Sequence, residues 1–303
     1  MAEQLPEEEK KEGQEQSSES SSETTTGTRL TATEIYENVR VAAEAELRRP
    51  PRALLWSALA AGLTIGFSFL AGAYLSSLVP EPFKHAANSI GYPLGFIFVV
   101  LARNQLFTEN TLEPIIPLLN KPSWDMLKSM LSLWVVVLIG NMIGACILGL
   151  ILALTPVVDK SLQDVLTTVA AQGTSAGFAA TAYKAIFAGW LIALMAWLIG
   201  STRSTGTQIL FVFLTTAPIS ALAFPHSIAG SVEAFYRIFA RTASWSDMIG
   251  NFIVPALIGN IIGGFTFVAL LNHGQVAAER KAEESSENDE EKEPARRRGI
   301  QYT

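Results

Sequence analysis

The sequence predicts an all-α membrane protein of six transmembrane helices, built as an inverted repeat of three plus three spans with broken second and fifth helices. Three observations predict it. The 303 residues are 49% hydrophobic and only 17% charged, too apolar for an ordinary soluble domain of this size. The charges are unevenly spread: 33 of the 50 Asp, Glu, Lys and Arg side chains lie in residues 1–52 and 273–303, leaving 17 for the 220 residues between. A five-residue pattern also recurs in that apolar middle, as Gly140, Asn141, Met142, Ile143, Gly144 and, 119 residues later, as Gly259, Asn260, Ile261, Ile262, Gly263.

Residues 1–28 are rich in Glu, Ser and Thr, the composition of a disordered acidic tail. Residues 29–52 predict an amphipathic cytoplasmic helix. Thr31 followed by Glu34 makes a capping box, and Ile35, Val39, Ala42, Ala43 and Leu47 recur at helical spacing. Such a helix lies at the membrane surface, against a neighbouring subunit, or on its own domain. Residues 53–272 form a six-span membrane domain, since a span needs about 20 apolar residues. Segments 53–80, 129–158 and 248–272 carry no charge. Segment 86–117 is interrupted by Arg103, Glu109 and Glu113, segment 173–202 by Lys184, and segment 204–232 by Pro218, Pro225 and His226. Residues 273–303 are a charged cytoplasmic tail whose composition from 279 onward again predicts disorder.

With both termini cytoplasmic, the inner flanks carry eight basic residues (Arg48, Arg49, Arg52, Lys121, Lys128, Arg203, Arg280, Lys281). The outer flanks carry four (Lys84, Lys160, Arg237, Arg241). This bias supports cytoplasmic ends. The interruptions near Thr108 and His226 are 118 residues apart, almost the offset of the Gly-Asn pattern. Each half then consists of a plain span, a broken span and a Gly-Asn span. Three spans is an odd number, so the second half enters from the opposite side. Broken helices at matching positions of such halves point to a transport path, because unpaired backbone survives at membrane depth only beside a polar cavity or buried in protein. The glycines of the pattern suit close helix packing. The amides of Asn141 and Asn260 need partners, and each is placed to tie down the free backbone of a broken helix.

Composition excludes other classes. The tails hold 20 acidic and 13 basic groups, so the net charge of -6 belongs to them; the middle holds 8 acidic and 9 basic. No basic patch with interleaved aromatics supports nucleic-acid binding. Cys146 is the single cysteine, which excludes intrachain disulfides and thiolate clusters and reads as an inert buried thiol. The first 30 residues have no apolar core, unlike a signal peptide. Three dispersed histidines and one cysteine supply no nucleophile-base pair or metal cluster for an intramembrane enzyme, and no cofactor is implied.

The chain resembles the formate/nitrite transporter family over about residues 30–275. The resemblance rests on Leu106, Phe107, Thr108 at the first break, on His226, Ser227, Ile228, Ala229 at the second, and on Gly259 to Gly263 in the last span. It implies an aquaporin-like inverted repeat and a homopentamer in a bacterial inner membrane. It also implies a small anionic substrate such as formate or nitrite. Carried over, Thr108 and His226 face each other at the pore centre. Tyr92, Phe96, Leu106, Phe107 and Ile219 form its apolar constrictions on either side. The chain departs from the family in three places and looks like an outlying branch. Arg103, Asn104 and Gln105 stand where Gly-Ala and an acid are usual. The His loop runs from Pro225 to Gly230 rather than from an acid to Asn. Gly173 occupies the place of a lysine expected just ahead of the fourth span.

A histidine in a Pro-broken apolar segment is a functional candidate, because its cation is expensive to bury without a partner. His85 and His273 fall at span ends and read as interfacial. An anion crossing apolar rings loses hydration that it cannot replace, whereas the neutral acid crosses cheaply. The expected mechanism follows: basic groups and half-helix N-termini attract the anion, and His226 lends it a proton while Thr108 orients His226 or bonds the anion. Arg103 and Lys184 are candidates for that attraction. Snorkelling accounts equally for Arg103, and a loop acid as partner for Lys184. Two rival readings share the sequence: an aquaporin-like channel for a small neutral solute, and a non-transporting scaffold or sensor serving the charged tails.

Overall fold

A computed structural model of the chain describes residues 29–299; the tail reading for residues 1–28, and residues 300–303, lie outside the described residues. From Ala32 onward the chain forms one compact, all-helical unit. Four helices in it are long and apolar enough to cross a membrane: Pro51–Ser77, Trp124–Leu154, Phe178–Ile199 and Trp245–Ser286.

Helix α1 (Ala32–Leu47) starts directly after Thr31 and buries Tyr36, Val39 and Ala43. It packs on its own chain, in a cluster with Leu112, Ile115, Ile116, Trp197 and Val276, because its apolar stripe finds a ready apolar surface there. Glu37 and Arg40 pair on its outer face, and Arg280 lies 3.6 Å from Glu37. Helices α2 (Pro51–Thr64) and α3 (Phe67–Ser77) run on almost end to end, with proline opening the first turn of α2, where its missing N–H costs nothing.

The second apolar segment is not one helix. It is α4 (Glu81–Gly91), α5 (Pro93–Leu101), a non-helical stretch, one 3-10 turn (Glu109–Thr111) and α6 (Ile115–Asn120). The fifth divides likewise into α10 (Thr205–Ala221) and α11 (Ala229–Phe239). Both first halves end in the same way. Arg103 and Ala223 take positive φ, 53° and 49°. Behind them Asn104 N–H donates to Val99 O at 3.0 Å, and Phe224 N–H to Ile219 O at 2.8 Å. This is the Schellman closure that glycine usually provides, made here by non-glycine residues.

Helix α7 (Trp124–Leu154) is capped by Ser123, whose side chain accepts from Met126 N–H at 3.1 Å. Helix α8 (Lys160–Gly173) is capped by Asp159, which accepts from Leu162 N–H at 2.8 Å. That hydrogen bond stabilises the carboxylate and holds Asp159 below its ordinary value. Helix α9 (Phe178–Ile199) follows. The last helical run is α12 (Trp245–Met248), a π turn (Ile249–Ile253), α13 (Val254–Gly264), a second π turn (Phe265–Leu270) and α14 (Leu271–Gly299).

The Gly-Asn pattern puts α7 against α2 and α13 against α9. A Cβ on Gly144 would lie 2.5 Å from the backbone oxygen of Leu59, and one on Gly263 would overlap the backbone oxygen of Ile186. Only glycine lets these backbones touch. Past residue 279, where composition has the character of a charged tail, α14 continues as helix to Gly299. Glu, Lys, Arg and Ala are good helix formers, so a charged run continuing an existing helix adds residues without a new nucleation cost.

Candidate functional site

The site is built from the two breaks, where the chain leaves helical geometry and its backbone groups need partners from elsewhere. Asn141 on α7 supplies them at the first. Its Oδ1 accepts from Phe107 N–H at 2.8 Å, and its Nδ2 donates to Gln105 O at 2.9 Å and Ala58 O at 2.8 Å. Asn260 on α13 does the same at the second. Its Oδ1 accepts from Ser227 N–H at 2.8 Å, and its Nδ2 donates to Pro225 O at 3.1 Å and Ala185 O at 2.8 Å. Both amides are fully buried. Each therefore meets the hydrogen-bonding demand of one break and fastens it to a neighbouring helix, α2 through Ala58 and α9 through Ala185.

Held in this way, the breaks bring Thr108 Oγ1 to 2.8 Å from His226 Nε2, with both residues at most 1% exposed. His226 Nδ1 accepts from Ala229 N–H at 3.1 Å, so its lone pair is engaged and the proton of the neutral ring sits on Nε2. Nε2–H then donates to Thr108. A second ring proton has no place at Nδ1 unless the Ala229 bond is given up. Thr108 is held in turn by Thr111, whose hydroxyl donates to Thr108 O at 2.7 Å. The Phe96 ring meets His226 edge-on at 5.0 Å between centroids, and Tyr92 lies 5.3 Å from Phe96.

Two cavities approach this centre. One, of about 90 Å³, is lined by His226 together with Tyr92, Ile219, His85, Asn88 and Glu233. It joins a wider mouth of about 300 Å³ holding Glu81, Lys84 and Asp164, through the shared residues His85, Asn88, Val169 and Gln172. The other, of about 240 Å³, is lined by Glu46, Arg103, Gln105, Glu109, Glu113 and Gln208. Helix α5 leads from the first cavity at Tyr92 to the second at Leu101, about 13 Å at 1.5 Å per residue. Helix α10 leads from Gln208 in the second to Ile219 in the first. The two half-helices thus run side by side between two polar chambers.

The structure brings together Thr108, His226, Tyr92, Phe96, Ile219, Asn141 and Asn260. Leu106 and Phe107 are buried but line neither cavity; the Phe107 ring packs edge-on against Trp134 at 5.6 Å. Arg103 lines the second cavity. Lys184 is exposed on α9, lines none of the described cavities, and has no acidic partner among the described residues. His85 is more than interfacial: it lines the first cavity, with Nε2 2.9 Å from Ala221 O. His273 instead meets Tyr36, Nδ1 to hydroxyl at 2.6 Å. Burial of the Tyr36 phenol raises its value above the ordinary one, against the opposing pull of Arg280.

Sequence reasoning missed Glu233 and Gln105. Glu233 lies one residue past the fifth apolar segment and is only 8% exposed; an acid inside an apolar run is the signal that could have found it. Gln105 Nε2 donates to Glu46 Oε2 at 2.8 Å and its Oε1 accepts from Asn110 Nδ2 at 3.0 Å. It thereby ties the first break to α1, a contact that no local pattern encodes.

The comparisons agree with this architecture. The profile of the formate/nitrite transporter family matches residues 33–274. Inner membrane protein YfdC of Escherichia coli is 37% identical over 257 residues, covering 83% of this chain and 82% of the relative. Formate channel BtFdhC of Bacillus thuringiensis is 28% identical, covering 68% of this chain and 80% of its own. Two solved structures share the fold. A pentameric formate channel with formate bound has a TM-score of 0.60 at 23% identity, covering 77% of this chain and 96% of that one. An FNT family ion channel has a TM-score of 0.64 at 20% identity, covering 79% and 94%. With the profile matching nearly the whole helical body, this chain is a helical membrane protein that belongs to the formate/nitrite transporter family.

Proposed function

We propose that the protein carries a small monovalent anion, formate, nitrite or a similar short carboxylate, across the membrane, with a proton lent by His226. The observation that carries this reading is the buried 2.8 Å contact between His226 Nε2 and Thr108 Oγ1 at the meeting of two broken helices. Family membership supports anion transport as a class. A neutral imidazole with Nε2–H turned to a hydroxyl can change partner: the anion replaces Thr108, a proton from the cavity enters at Nδ1 as the Ala229 bond is given up, and the resulting imidazolium passes its Nε2 proton to the anion, which crosses the apolar stretch as the neutral acid and leaves the ring neutral. Thr108 reclaims the ring when the solute leaves. Tyr92, Phe96, Leu106 and Ile219 narrow the path, whereas the Phe107 ring is turned onto Trp134. Arg103, the basic group lining the second cavity beside Glu46, Glu109 and Glu113, is the candidate for anion attraction there; Lys184 is exposed on α9 and lines neither cavity.

The chain crosses the membrane six times, counting α4 to α6 as one composite crossing and α10 with α11 as another. The two halves are related as an inverted repeat, a reading supported by the matching Asn141 and Asn260 anchors and by the paired closures at Arg103 and Ala223. Six crossings put both termini on one side, and the basic flanks put that side in the cytoplasm of a bacterium. Five copies assemble, as in the similar formate channel. The exposed stripe Leu131, Val135, Ile139, Ile143 and Ile147 along α7 faces lipid or a neighbouring copy.

The test is flux of radiolabelled formate, acetate and nitrite in proteoliposomes over a range of pH, comparing the native chain with His226→Asn. The variant is expected to lose pH-dependent flux. Unchanged pH-dependent flux would reject the proton-donor role, and flux of a neutral solute without dependence on pH would favour an aquaporin-like channel instead.

A further inference from the structure

The cavity that ends on His226 holds a second titratable group which the mechanism above does not use. Glu233 stands in the second turn of α11, 8% exposed, and shares the 90 Å³ cavity with His226. No hydrogen bond or ion pair joins its carboxyl to another described residue. Its Oε2 lies over Gly173, where a Cβ would overlap it. A side chain at that position would press on the carboxyl, the flexible end of Glu233, and displace it.

Most of the charges around it are engaged elsewhere. Arg237, one turn further along α11, donates through its two terminal nitrogens to Thr174 Oγ1 at 2.8 Å and to Thr242 O at 3.2 Å, while its buried Nε has no partner among the described residues. On α8, Lys160 pairs with Asp164 at 3.1 Å. On α4, Lys84 pairs with Glu81 at 2.5 Å and His85 bonds Ala221 O. On α12, Asp247 accepts from Ser244. Tyr92 contributes a neutral phenol from the start of α5. An unpaired carboxyl thus faces a cavity with room for several waters or one solute of a few heavy atoms. A carboxylate there would repel an arriving anion, and two carboxylates share so small a space only with a proton between them.

We propose that Glu233 is a proton-exchange site for the transported carboxylate, and that Gly173 leaves the opening through which solute reaches it. The exchange balances: the O–H bond of the protonated Glu233 breaks, the same proton forms an O–H bond on the solute carboxylate, and the neutral acid moves on toward His226. The Glu233 carboxylate left behind recovers a proton from water in the wide mouth. Solute arriving from the other side returns its proton by the reverse step. This rests on the proton-linked reading of the path: Glu233 lends the proton to solute that enters on the His85 side, and His226 lends it to solute that arrives from the other side.

The experiment is formate flux in proteoliposomes across pH for the native chain, Glu233→Gln, Glu233→Asp and Gly173→Lys, with oligomer elution and melting recorded for each. One proton per solute gives the native chain a rise of up to about tenfold per pH unit on acidification. Glu233→Gln is expected to flatten that rise while keeping the oligomer, and Glu233→Asp to restore it. Gly173→Lys is expected to flatten it as well, by holding Glu233 in an ion pair. A Glu233→Gln chain with the native pH profile would overturn the proposal, as would a Glu233→Gln effect on melting alone. Labelled methylamine provides the opposing arm. Methylamine flux that exceeds formate flux and disappears in Glu233→Gln would make the carboxylate a cation site and overturn proton exchange with an acid. Failure of the parent reading is read separately, from His226→Asn with Glu233 intact.

Discussion

Replacing Asn260 by Leu removes the side chain that pairs the free backbone of the second break while keeping nearly the same volume. Ser227 N–H and Pro225 O lose their partner in a fully buried setting, whereas Ala185 O lies within α9 and keeps its helical bond. Two buried backbone groups left unpaired cost about 1–3 kcal/mol each, so the variant is expected to be less stable by about 2–6 kcal/mol. That is a large share of the stability of an ordinary domain. The loss has a functional side as well. Ser227 adjoins His226, so a loop free to seek new partners moves the imidazole off Thr108, and flux falls even in the molecules that remain folded. The assay is thermal melting in detergent paired with formate flux, with Asn141→Leu as the matching variant at the first break, where Phe107 N–H and Gln105 O are freed. The two losses are expected not to add in the double variant, because the breaks touch through Thr108 and His226. An Asn260→Leu chain that melts and transports like the native one would refute the account of how the breaks are held.

Further expectations concern single contacts. Thr108→Val leaves the His226 ring N–H without its partner, a loss of about 1–3 kcal/mol, so formate flux is expected to fall while the oligomer persists; Thr108→Ser should recover it, and full activity in the valine variant would remove Thr108 from the mechanism. Gly263→Ala drives a methyl into the Ile186 backbone oxygen, with an expected loss of about 1–3 kcal/mol read by melting. Glu37 is held below the ordinary carboxylate range chiefly by its hydrogen bond to Arg40. The stabilisation from a carboxylate lowered on folding is present above its unfolded value and is lost as pH falls through the folded one. The melting difference between the native chain and Glu37→Gln should therefore be small at neutral pH, since the pair is half-exposed, and vanish in acid.

Much of the site could be read in the sequence because its parts are expensive in an apolar setting. Asn141, Asn260 and His226 stand out as polar groups inside apolar runs, and the 119-residue recurrence of the Gly-Asn pattern pairs the two amides before any contact is known. Glu233 could not be placed in the same way, since its neighbours in the chain say nothing of the glycine on α8 that leaves room for it. The positive φ at Arg103 and Ala223 was equally hidden, because no glycine or asparagine marks the closure. Lys184 is also a charge in an apolar run, yet it is exposed on α9 and lines neither cavity, and only the packing of α9 decides which face it occupies.

By itself, the sequence determined what must be buried and what must be paired: apolar lengths that exceed a membrane, charges gathered at the ends, amides and an imidazole requiring partners, and glycines where helices touch. These follow from solvation and sterics, which each residue carries with it. The tertiary structure alone decided which groups meet. It set Thr108 Oγ1 2.8 Å from His226 Nε2 across 118 residues of chain, turned Phe107 onto Trp134, and left the Glu233 carboxyl without a partner beside His226. Such meetings depend on how whole helices rotate and abut, and a one-residue change of register, about 100° around a helix, would replace every one of them.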